Sequence, residues 1–408
     1  MTKTRAQRAA GAAKRTYVLQ EEGRSLIRSM LIPSLLRTAC AILGLHCRLL
    51  GDKGGSGVTN DAAGVMVKLK VDYVQTVLSG LRRTGCTSKN IAVRQEWDSL
   101  SEAQRLDYVR AVQCLHAKEP KQPGGLAHNR LEEFIIPHVN QTLEIHASGL
   151  LLPWHRYFLH LYETALREEC GYKGYLPYWD WPKYIENPQK STIFDGSAAS
   201  LSGNGAPIPH GEYRMPVPGG PPPVQFFTRA AGEGGGCVSG PFENLTLYLD
   251  ASNEGATTPA KLTQNPRCLK RDFYMPILAQ QNSYENVTNL ILNSPNMETF
   301  NRVVESDDGV HVGGHFYYGP EQLNLFTSPG DPAFFLHHAM LDRVWAIWQS
   351  RDPRNRRDAL SGTVTFENYP PSENVTLDHT LRIDVSGDFV KIKQVMSTTE
   401  NILCYIYG

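Results

Sequence analysis

Three histidines lie close together in an apolar stretch of the sequence. His138, His146 and His155 are separated by eight and nine residues. Neutral imidazole is the commonest side-chain ligand for transition metals in proteins. A single histidine on an apolar face is more often an ordinary core residue, but three at these spacings predict a metal site.

A second group of histidines lies nearer the carboxyl end of the chain. His311 and His315 are four residues apart, and the pair His337-His338 follows in an apolar segment. Because each group offers three imidazoles, the ligand types favour copper or a catalytic zinc ion, and spacing alone does not choose between them. Two groups of histidines predict two metal ions.

Motifs around these histidines resemble the two copper-binding signatures of the tyrosinase and catechol oxidase family. The first group has the pattern His-x7-His-x8-His and includes Leu-Pro-Trp-His-Arg-Tyr-Phe at residues 152–158. The second has His-x3-His, followed at 331–343 by Asp-Pro-x-Phe-Phe-Leu-His-His-x3-Asp-Arg. Motifs at 176–181, 237–242 and 265–268 resemble the short fungal members in particular. The resemblance covers residues 67–408, and its motifs are specific.

The resemblance implies two copper ions, with O2 as co-substrate. The implied ligands are His138, His146 and His155 for the first copper and His311, His315 and His338 for the second. Adjacent residues on a helix point about 100° apart, so one ion cannot take both His337 and His338, and His337 is expected to pack beside the site. The implied reaction is oxidation of o-diphenols to o-quinones, with weaker ortho-hydroxylation of monophenols.

Two positions depart from the pattern of relatives. Many relatives carry a cysteine two residues before the second histidine, where it forms a thioether with an imidazole; Glu144 stands there, so this cross-link cannot form. Strong monophenolases often have Asn directly after the first histidine of the second site, where this chain has Val312. Val312, Phe316 and Glu305 are the candidate substrate-guiding positions, with Glu305 as the acid that holds a water molecule.

Two aspartates are candidates for fixing the orientation of the imidazole rings. Asp342 lies four residues beyond His338, and Asp180 belongs to a separate motif. Partners of this kind fix the tautomer of a metal-binding histidine. An anchoring role, with Asp342 paired to Arg343 or Arg156, fits the sequence equally well.

Three other functions remain open at this stage. An o-aminophenol oxidase of pigment or secondary metabolism would use the same coppers on another substrate. An oxygen-binding protein without turnover would need a blocked pocket. A structural or zinc-binding protein would reveal itself by metal analysis.

Apolar periodicity predicts helices at residues 68–84, 99–116, 154–169, 297–304 and 331–348. The last is expected to begin with Asp331 as N-cap and Pro332 in its first turn. Pro137 predicts a helix break or restart just before His138. Gly313-Gly314 indicates close approach of another group to the backbone of a helix that carries His311 and His315.

The remaining segments complete the predicted fold. Residues 182–240 are rich in Pro and Gly and are expected to form long loops with short strands. Alternating side chains predict strands at 375–378, 381–385 and 389–392. The fold class is therefore mainly α, a helical bundle core that holds a binuclear metal site, with long loops and a few short β-strands.

Composition and domain organisation limit the possible partners. The 408 residues include 41 basic and 41 acidic side chains, which gives no charge field for nucleic acid, and the expected partner is a small phenol without membrane association. Residues 1–66 are predicted to be an unstructured extension; their apolar segment at 30–47 is too short to span a membrane and could be a degenerate signal segment. Residues 67–408 form the predicted copper domain, with no lid domain after the final Tyr-Ile-Tyr. The sequence gives no oligomeric state.

Cysteines and glycosylation motifs favour secretion. Six cysteines lie in the predicted domain, and six allow 15 disulfide pairings, among which the sequence does not choose. Four Asn-x-Ser/Thr motifs begin at Asn140, Asn244, Asn286 and Asn374. We therefore expect a secreted, disulfide-bonded protein.

Overall fold

The protein is built around one long buried helix. The computed structural model describes residues 61–408 except 82–84, 123, 217–225, 253–260 and 386–388. Helix α9 (Ala333–Ser350) is buried from Ala333 to Gln349 and has no solvent-facing side. A helix that is buried on every side must be enclosed by other elements. The predicted mainly helical bundle is confirmed.

Nine further helices complete the described α-structure, and four of them enclose α9. Helices α1 (Ala62–Gly80), α4 (Leu151–Cys170), α6 (Tyr284–Asn293) and α8 (Val310–Tyr318) pack directly against it. The others are α2 (Glu102–Ala117), α3 (Ile135–Ile145), α5 (Met275–Gln281), α7 (Met297–Val304) and α10 (Pro353–Arg356).

Local sequence explains where several helices begin and end. At α2, Ser101 and Gln104 form a reciprocal capping box, so two unsatisfied N–H groups gain partners. Helix α4 ends at Gly171, whose φ of 66° is left-handed and suits glycine. Pro137 lies in the first turn of α3, where a missing N–H removes no helical bond, and a 3-10 helix at Glu132–Phe134 precedes that turn. The predicted restart thus occurs at Ile135.

The described strands are short and form five two-stranded sheets. Strands β1 (Ala92–Arg94) and β10 (Tyr405–Tyr407) are parallel, with Ala92 opposite Tyr405. The four antiparallel pairs are β2 (Gly205–Pro207) with β5 (Gly235–Val238), β3 (Tyr213–Pro216) with β4 (Phe226–Arg229), β6 (Thr246–Ser252) with β7 (Lys261–Cys268), and β8 (Thr380–Leu381) with β9 (Val390–Lys391). Strands β2 to β5 lie in the predicted loop region.

The predicted ends of two helices can be compared with the structure, and those of α1 need correction. Helix α1 begins at Ala62, inside the predicted extension, and ends at Gly80 rather than at residue 84. Helix α9 runs from Ala333, but Pro332 before it already has helical backbone angles, and the predicted capping role of Asp331 is confirmed. Its carboxylate forms a buried ion pair with Arg271 at 2.7 Å and also accepts the N–H of Ala333 at 2.9 Å.

The predicted strands near the carboxyl end were mostly wrong. Only two-residue pieces pair there, although Ile383, Val385 and Ile392 are buried as the alternation suggests. Alternating burial reports which side chains face the core, whereas a strand also needs a neighbouring backbone. That neighbour is missing over most of the described part of 375–392.

Three disulfides join the six domain cysteines. The pairs are Cys86–Cys404, Cys114–Cys170 and Cys237–Cys268. The first closes 318 residues and ties the segment before β1 to β10. The apolar segment predicted at 30–47 lies outside the described residues. Among those that are described, no helix combines the length and the apolar character that a membrane crossing requires.

Candidate metal centre

Two groups of histidines meet beside the central helix. Helix α3 supplies His138, the residue that caps its carboxyl end is His146, and α4 supplies His155. Side-chain nitrogens of these three lie within 4.8 Å of one another. The three histidines lie eight and nine residues apart in the chain. They converge because α3 ends just before His146 and the chain then enters α4, which carries His155.

The second group comes from two helices that cross. His311 and His315 lie one turn apart on one face of α8, and α9 supplies His338. The Nε2 atom of His315 lies 3.1 Å from Nε2 of His311 and 3.1 Å from Nε2 of His338. Three ring nitrogens therefore point at one position.

The two groups face each other in pairs. The rings of His155 and His338 stack with centroids 4.3 Å apart, and those of His146 and His311 are nearly parallel at 6.0 Å. The structure thus brings the six predicted histidines into one place. Two ions bound there would be neighbours.

Backbone carbonyls fix the orientation of the first three rings. The Nδ1 atom of His138 lies 2.8 Å from the Phe326 carbonyl. The Nδ1 atoms of His146 and His155 lie 3.0 and 2.8 Å from the carbonyls four residues earlier. A carbonyl can only accept, so each Nδ1 carries the proton and each Nε2 presents a lone pair.

Burial keeps all six rings neutral. Loss of hydration lowers the pKa of His146 to about 4 and that of His315 to about 3, and it takes the pKa values of His138, His155, His311 and His338 well below the usual range. A neutral imidazole can bind a metal ion, whereas imidazolium cannot.

Unsatisfied nitrogens show that the pocket between the rings suits a cation. The Nε2 atoms of His138 and His155 are buried and lack a hydrogen-bond partner among the described residues. Leaving a buried polar atom unpaired costs about 1–3 kcal/mol. A metal ion would satisfy both atoms, and an all-imidazole donor set suits copper.

His337 lies beside this cluster but has no nitrogen to spare. Its Nε2 lies 3.0 Å from the His311 carbonyl, and its Nδ1 accepts the indole N–H of Trp181 at 3.0 Å. Its ring also packs against Gly314, where any Cβ would overlap it. The close approach predicted from the double glycine is therefore the His337 ring.

Neither candidate aspartate has a recorded contact with the histidines of the cluster, and Asp342 instead anchors neighbouring elements. Asp342 accepts from Arg156 Nε at 2.5 Å and from two tyrosine hydroxyls of β10. Asp180 lies 4.0 Å from Arg343. Of the two interpretations left open by the sequence, the anchoring one describes Asp342, with Arg156 as its partner.

An apolar pocket of about 410 Å³ opens onto the second group of histidines. His311, His315, Val312 and Phe316 all line it. The rings of Phe316 and Phe227 pack edge to face, with their centroids 5.7 Å apart. Two of the candidate substrate-guiding residues therefore lie where an aromatic substrate could reach the cluster.

Glu305, the third candidate, does not line this pocket. One of its oxygens accepts the N–H of Ala147, directly after His146, at 2.5 Å. Burial raises the pKa of Glu305 to about 8, against the opposing effect of the Ala147 and Ser148 N–H groups. Its described contact is with the backbone beside the cluster. Glu144, in the position of the missing cysteine, is exposed on α3.

Two partners of the histidines were missed by sequence reasoning. Gln322 Oε1 lies 2.8 Å from His315 Nδ1, and the Gln322 amide donates to the Ser328 carbonyl at 2.6 Å. The other partner is the Phe326 carbonyl. Both lie in the connection between α8 and α9, where no sequence motif marks them.

Comparisons with known proteins agree on one family. Residues 128–351 match the model described as the common central domain of tyrosinase. The tyrosinase-like protein orsC of Emericella nidulans is 39% identical over 322 residues, which are 74% of this chain and 86% of that protein. The N-acetyl-6-hydroxytryptophan oxidase of the same organism is 35% identical over 352 residues, with 79% and 93% covered.

A solved structure agrees with these sequence matches. A polyphenol oxidase variant from Thermothelomyces thermophila superposes with a TM-score of 0.78 at 38% identity. The match covers 87% of this chain and 100% of that one. Fold and sequence therefore point to the same relatives.

Proposed function

Because the chain belongs to the tyrosinase family, whose members hold a type 3 binuclear copper site, we propose that it oxidises o-diphenols to o-quinones with O2. One observation carries the proposal. Six buried imidazoles converge, two of them (His311 and His315) line an apolar pocket, and two Nε2 atoms of the cluster lack any partner among the described residues.

The proposed ligands follow from which nitrogens are available. One copper would be held by His138, His146 and His155 and the other by His311, His315 and His338. When bound, the two copper ions would supply the electrons that reduce O2 and recover them from the phenol. His337 is left out because both of its nitrogens are engaged.

The protein's own part in this reaction is to orient the substrate and to exclude water. Val312 and Phe316 give an aromatic ring an apolar surface, so the ring would enter edge-on toward His311 and His315. Val312 offers no hydrogen-bond acceptor, so the chain gives a monophenol no help in losing its proton at this position. Catechols are more acidic and need less help, so we propose that diphenol oxidation exceeds monophenol hydroxylation.

The test combines metal analysis with oxygen uptake. Copper-loaded protein should contain two copper ions per chain and should consume O2 fastest with 4-methylcatechol, more slowly with tyrosine. o-Aminophenol belongs in the same series, since a clear preference for it would favour the o-aminophenol oxidase alternative. One copper ion or none per folded chain would contradict the proposal.

Two substitutions test the ligand assignment. His155→Ala and His338→Ala each remove one of three ligands and should abolish oxygen uptake while the helical circular dichroism persists. His160→Ala is the matched control, since His160 is on the same helix as His155 but outside the cluster. Near-normal turnover in either ligand variant would show that the assignment is wrong.

We also propose that the protein is secreted. Disulfides form and persist in oxidising compartments, and three join the described domain. Recovery of the natural protein from the cytosol with six free thiols would overturn this.

A further inference from the structure

The pocket in front of the histidines carries one formal charge among its described lining residues. That charge belongs to Arg214 on β3; no Asp, Glu or Lys lines the pocket. The other lining side chains are apolar, aromatic, imidazole or neutral polar groups. In a largely apolar pocket, a single charged group decides orientation and specificity.

Arg214 has no acidic partner in the described part of the protein. No carboxylate of a described residue lies within 4.0 Å of its guanidinium, although Glu212 is only two residues away. The other arginine of the same hairpin, Arg229, is by contrast buried and paired with Asp272 at 2.5 Å. As far as the described residues go, the charge of Arg214 is therefore left for a ligand.

The side chain is also held in position. Its guanidinium carbon lies over the Phe226 ring, 4.2 Å from the centroid. Phe226 is on β4, which pairs with β3 so that Arg214 is opposite Thr228. A guanidinium supported on an aromatic face has lost part of its freedom before a ligand binds, which reduces the entropic cost of binding.

The pocket has a direction, from a buried end to an exposed mouth. His311 and His315 are 6% and 8% exposed, whereas Arg214 is exposed. A phenol whose hydroxyls face the histidines would present the opposite side of its ring toward Arg214. A carboxylate on that side would meet the guanidinium fork, whose planar geometry matches it.

We propose that Arg214 selects phenols that carry a carboxylate on the side of the ring remote from the reacting hydroxyls. This inference rests on the proposed function, because it names the substrate class of the same pocket. Arg214 acts here as a specificity residue; it takes no part in electron transfer.

The test compares two substrates that differ only in charge. Copper-loaded protein is assayed with 3-(3,4-dihydroxyphenyl)propanoic acid and with its methyl ester. The acid should be preferred in kcat/KM, and Arg214→Gln should raise KM for the acid roughly 3- to 5-fold, as expected for a partly exposed ion pair. The KM for the ester and kcat for both substrates should stay close to their original values.

Two further variants separate charge from packing. Arg214→Lys keeps the charge and should keep most of the preference for the acid. Arg302→Gln removes an exposed arginine on α7 that does not line the pocket, and it should leave the acid-to-ester ratio unchanged. An equal ratio in the original protein and in Arg214→Gln would overturn the inference.

A binding measurement keeps the inference separate from the proposed function. If neither substrate is oxidised, the proposed function fails, but calorimetry with the non-oxidisable pair 3-phenylpropanoate and 3-phenylpropanamide still tests Arg214. The acid should bind more tightly than the amide to the copper-loaded protein, and Arg214→Gln should remove the difference. Equal binding of both compounds would refute the role of Arg214.

Discussion

At the residue scale, the cluster depends on which nitrogen of each ring is free. Carbonyl oxygens of Phe326, Thr142 and Leu151 each take one Nδ1, so the Nε2 atoms of the first group are left for an ion. Two of these carbonyls lie four residues before the histidine that they hold. For His146 and His155, a backbone carbonyl in the preceding turn thus fixes the tautomer of the ring, without a carboxylate.

Val312 provides the sharpest residue-scale prediction. Val312→Asn places an amide in the pocket beside His311, where it can orient a water molecule that accepts the phenol proton. General-base assistance is worth about 10²–10⁴-fold, so we expect the ratio of tyrosine to 4-methylcatechol turnover to rise by about tenfold or more. Steady-state oxygen uptake with both substrates measures this ratio.

Val67→Asn serves as the control for that substitution. Val67 is 54% exposed on α1 and does not line the pocket, so the same chemical change there should leave the ratio as it was. Our account of selectivity is wrong if Val312→Asn lowers the ratio or leaves it constant. It is also wrong if the unaltered protein already hydroxylates tyrosine as fast as it oxidises catechols.

At the element scale, Asp342 joins three elements that meet behind the cluster. It lies on α9, pairs with Arg156 on α4, and accepts from the Tyr405 and Tyr407 hydroxyls of β10 at 2.6 Å each. Helices α4 and α9 also supply His155 and His338. The ion pair therefore fixes the distance between two elements of the proposed copper site.

Asp342→Asn should destabilise the protein in a pH-dependent way. Burial alone would raise the pKa of Asp342, but Arg156, Arg94 and the two tyrosine hydroxyls outweigh it and hold the pKa below its usual value. The stabilisation is thus present above the unfolded-state pKa of about 3.9 and is lost as the pH falls through the lower folded-state pKa. Near pH 7 the substitution should lower the unfolding free energy by about 3–5 kcal/mol, because Arg156 remains buried without its charged partner.

Urea unfolding between pH 7 and pH 3 measures this loss. The difference in unfolding free energy between the original protein and Asp342→Asn should shrink as the pH approaches the folded-state pKa from above. Asp378→Asn is the matched control, since its ion pair with Lys393 is exposed to solvent and screened, and its loss should change the unfolding free energy little. A constant difference across this pH range would contradict the assignment.

At the scale of the whole molecule, the described domain is closed by a covalent link between its two ends. Cys86–Cys404 spans 318 residues, whereas Cys237–Cys268 spans 31. Cross-links over longer separations remove more conformational entropy from the unfolded chain. The parallel pairing of β1 with β10 lies beside the longer link.

Replacing both cysteines of a pair by Ala should therefore lower the unfolding free energy more for Cys86–Cys404 than for Cys237–Cys268. The chain-entropy relation gives roughly 5–6 kcal/mol for Cys86–Cys404 and roughly 3.5–4 kcal/mol for Cys237–Cys268. Urea unfolding of the two double variants measures both losses, with copper content as a check on folding. A larger loss for the shorter link would show that native-state packing, and not chain entropy, dominates.

Much of this protein could be predicted because it depends on short-range order in the sequence. Periodic apolar residues gave α4, α7 and α9 to within a few residues, since a helix satisfies its hydrogen bonds within its own segment. The positions of the six histidines and their family motifs are also properties of the chain itself. The predicted fold class, family and copper cofactor are confirmed on this basis.

The tertiary structure alone decided which distant residues meet. The structure shows which of the 15 possible disulfide pairings forms, and it shows that Gln322 contacts His315. It also pairs Asp342 with Arg156 rather than with Arg343, and it places Arg214 in the lining of the pocket. The strands predicted near the carboxyl end failed for the same reason, since a ladder needs a partner from elsewhere. Contacts between residues far apart in the chain depend on the packing of whole elements, which no local pattern records.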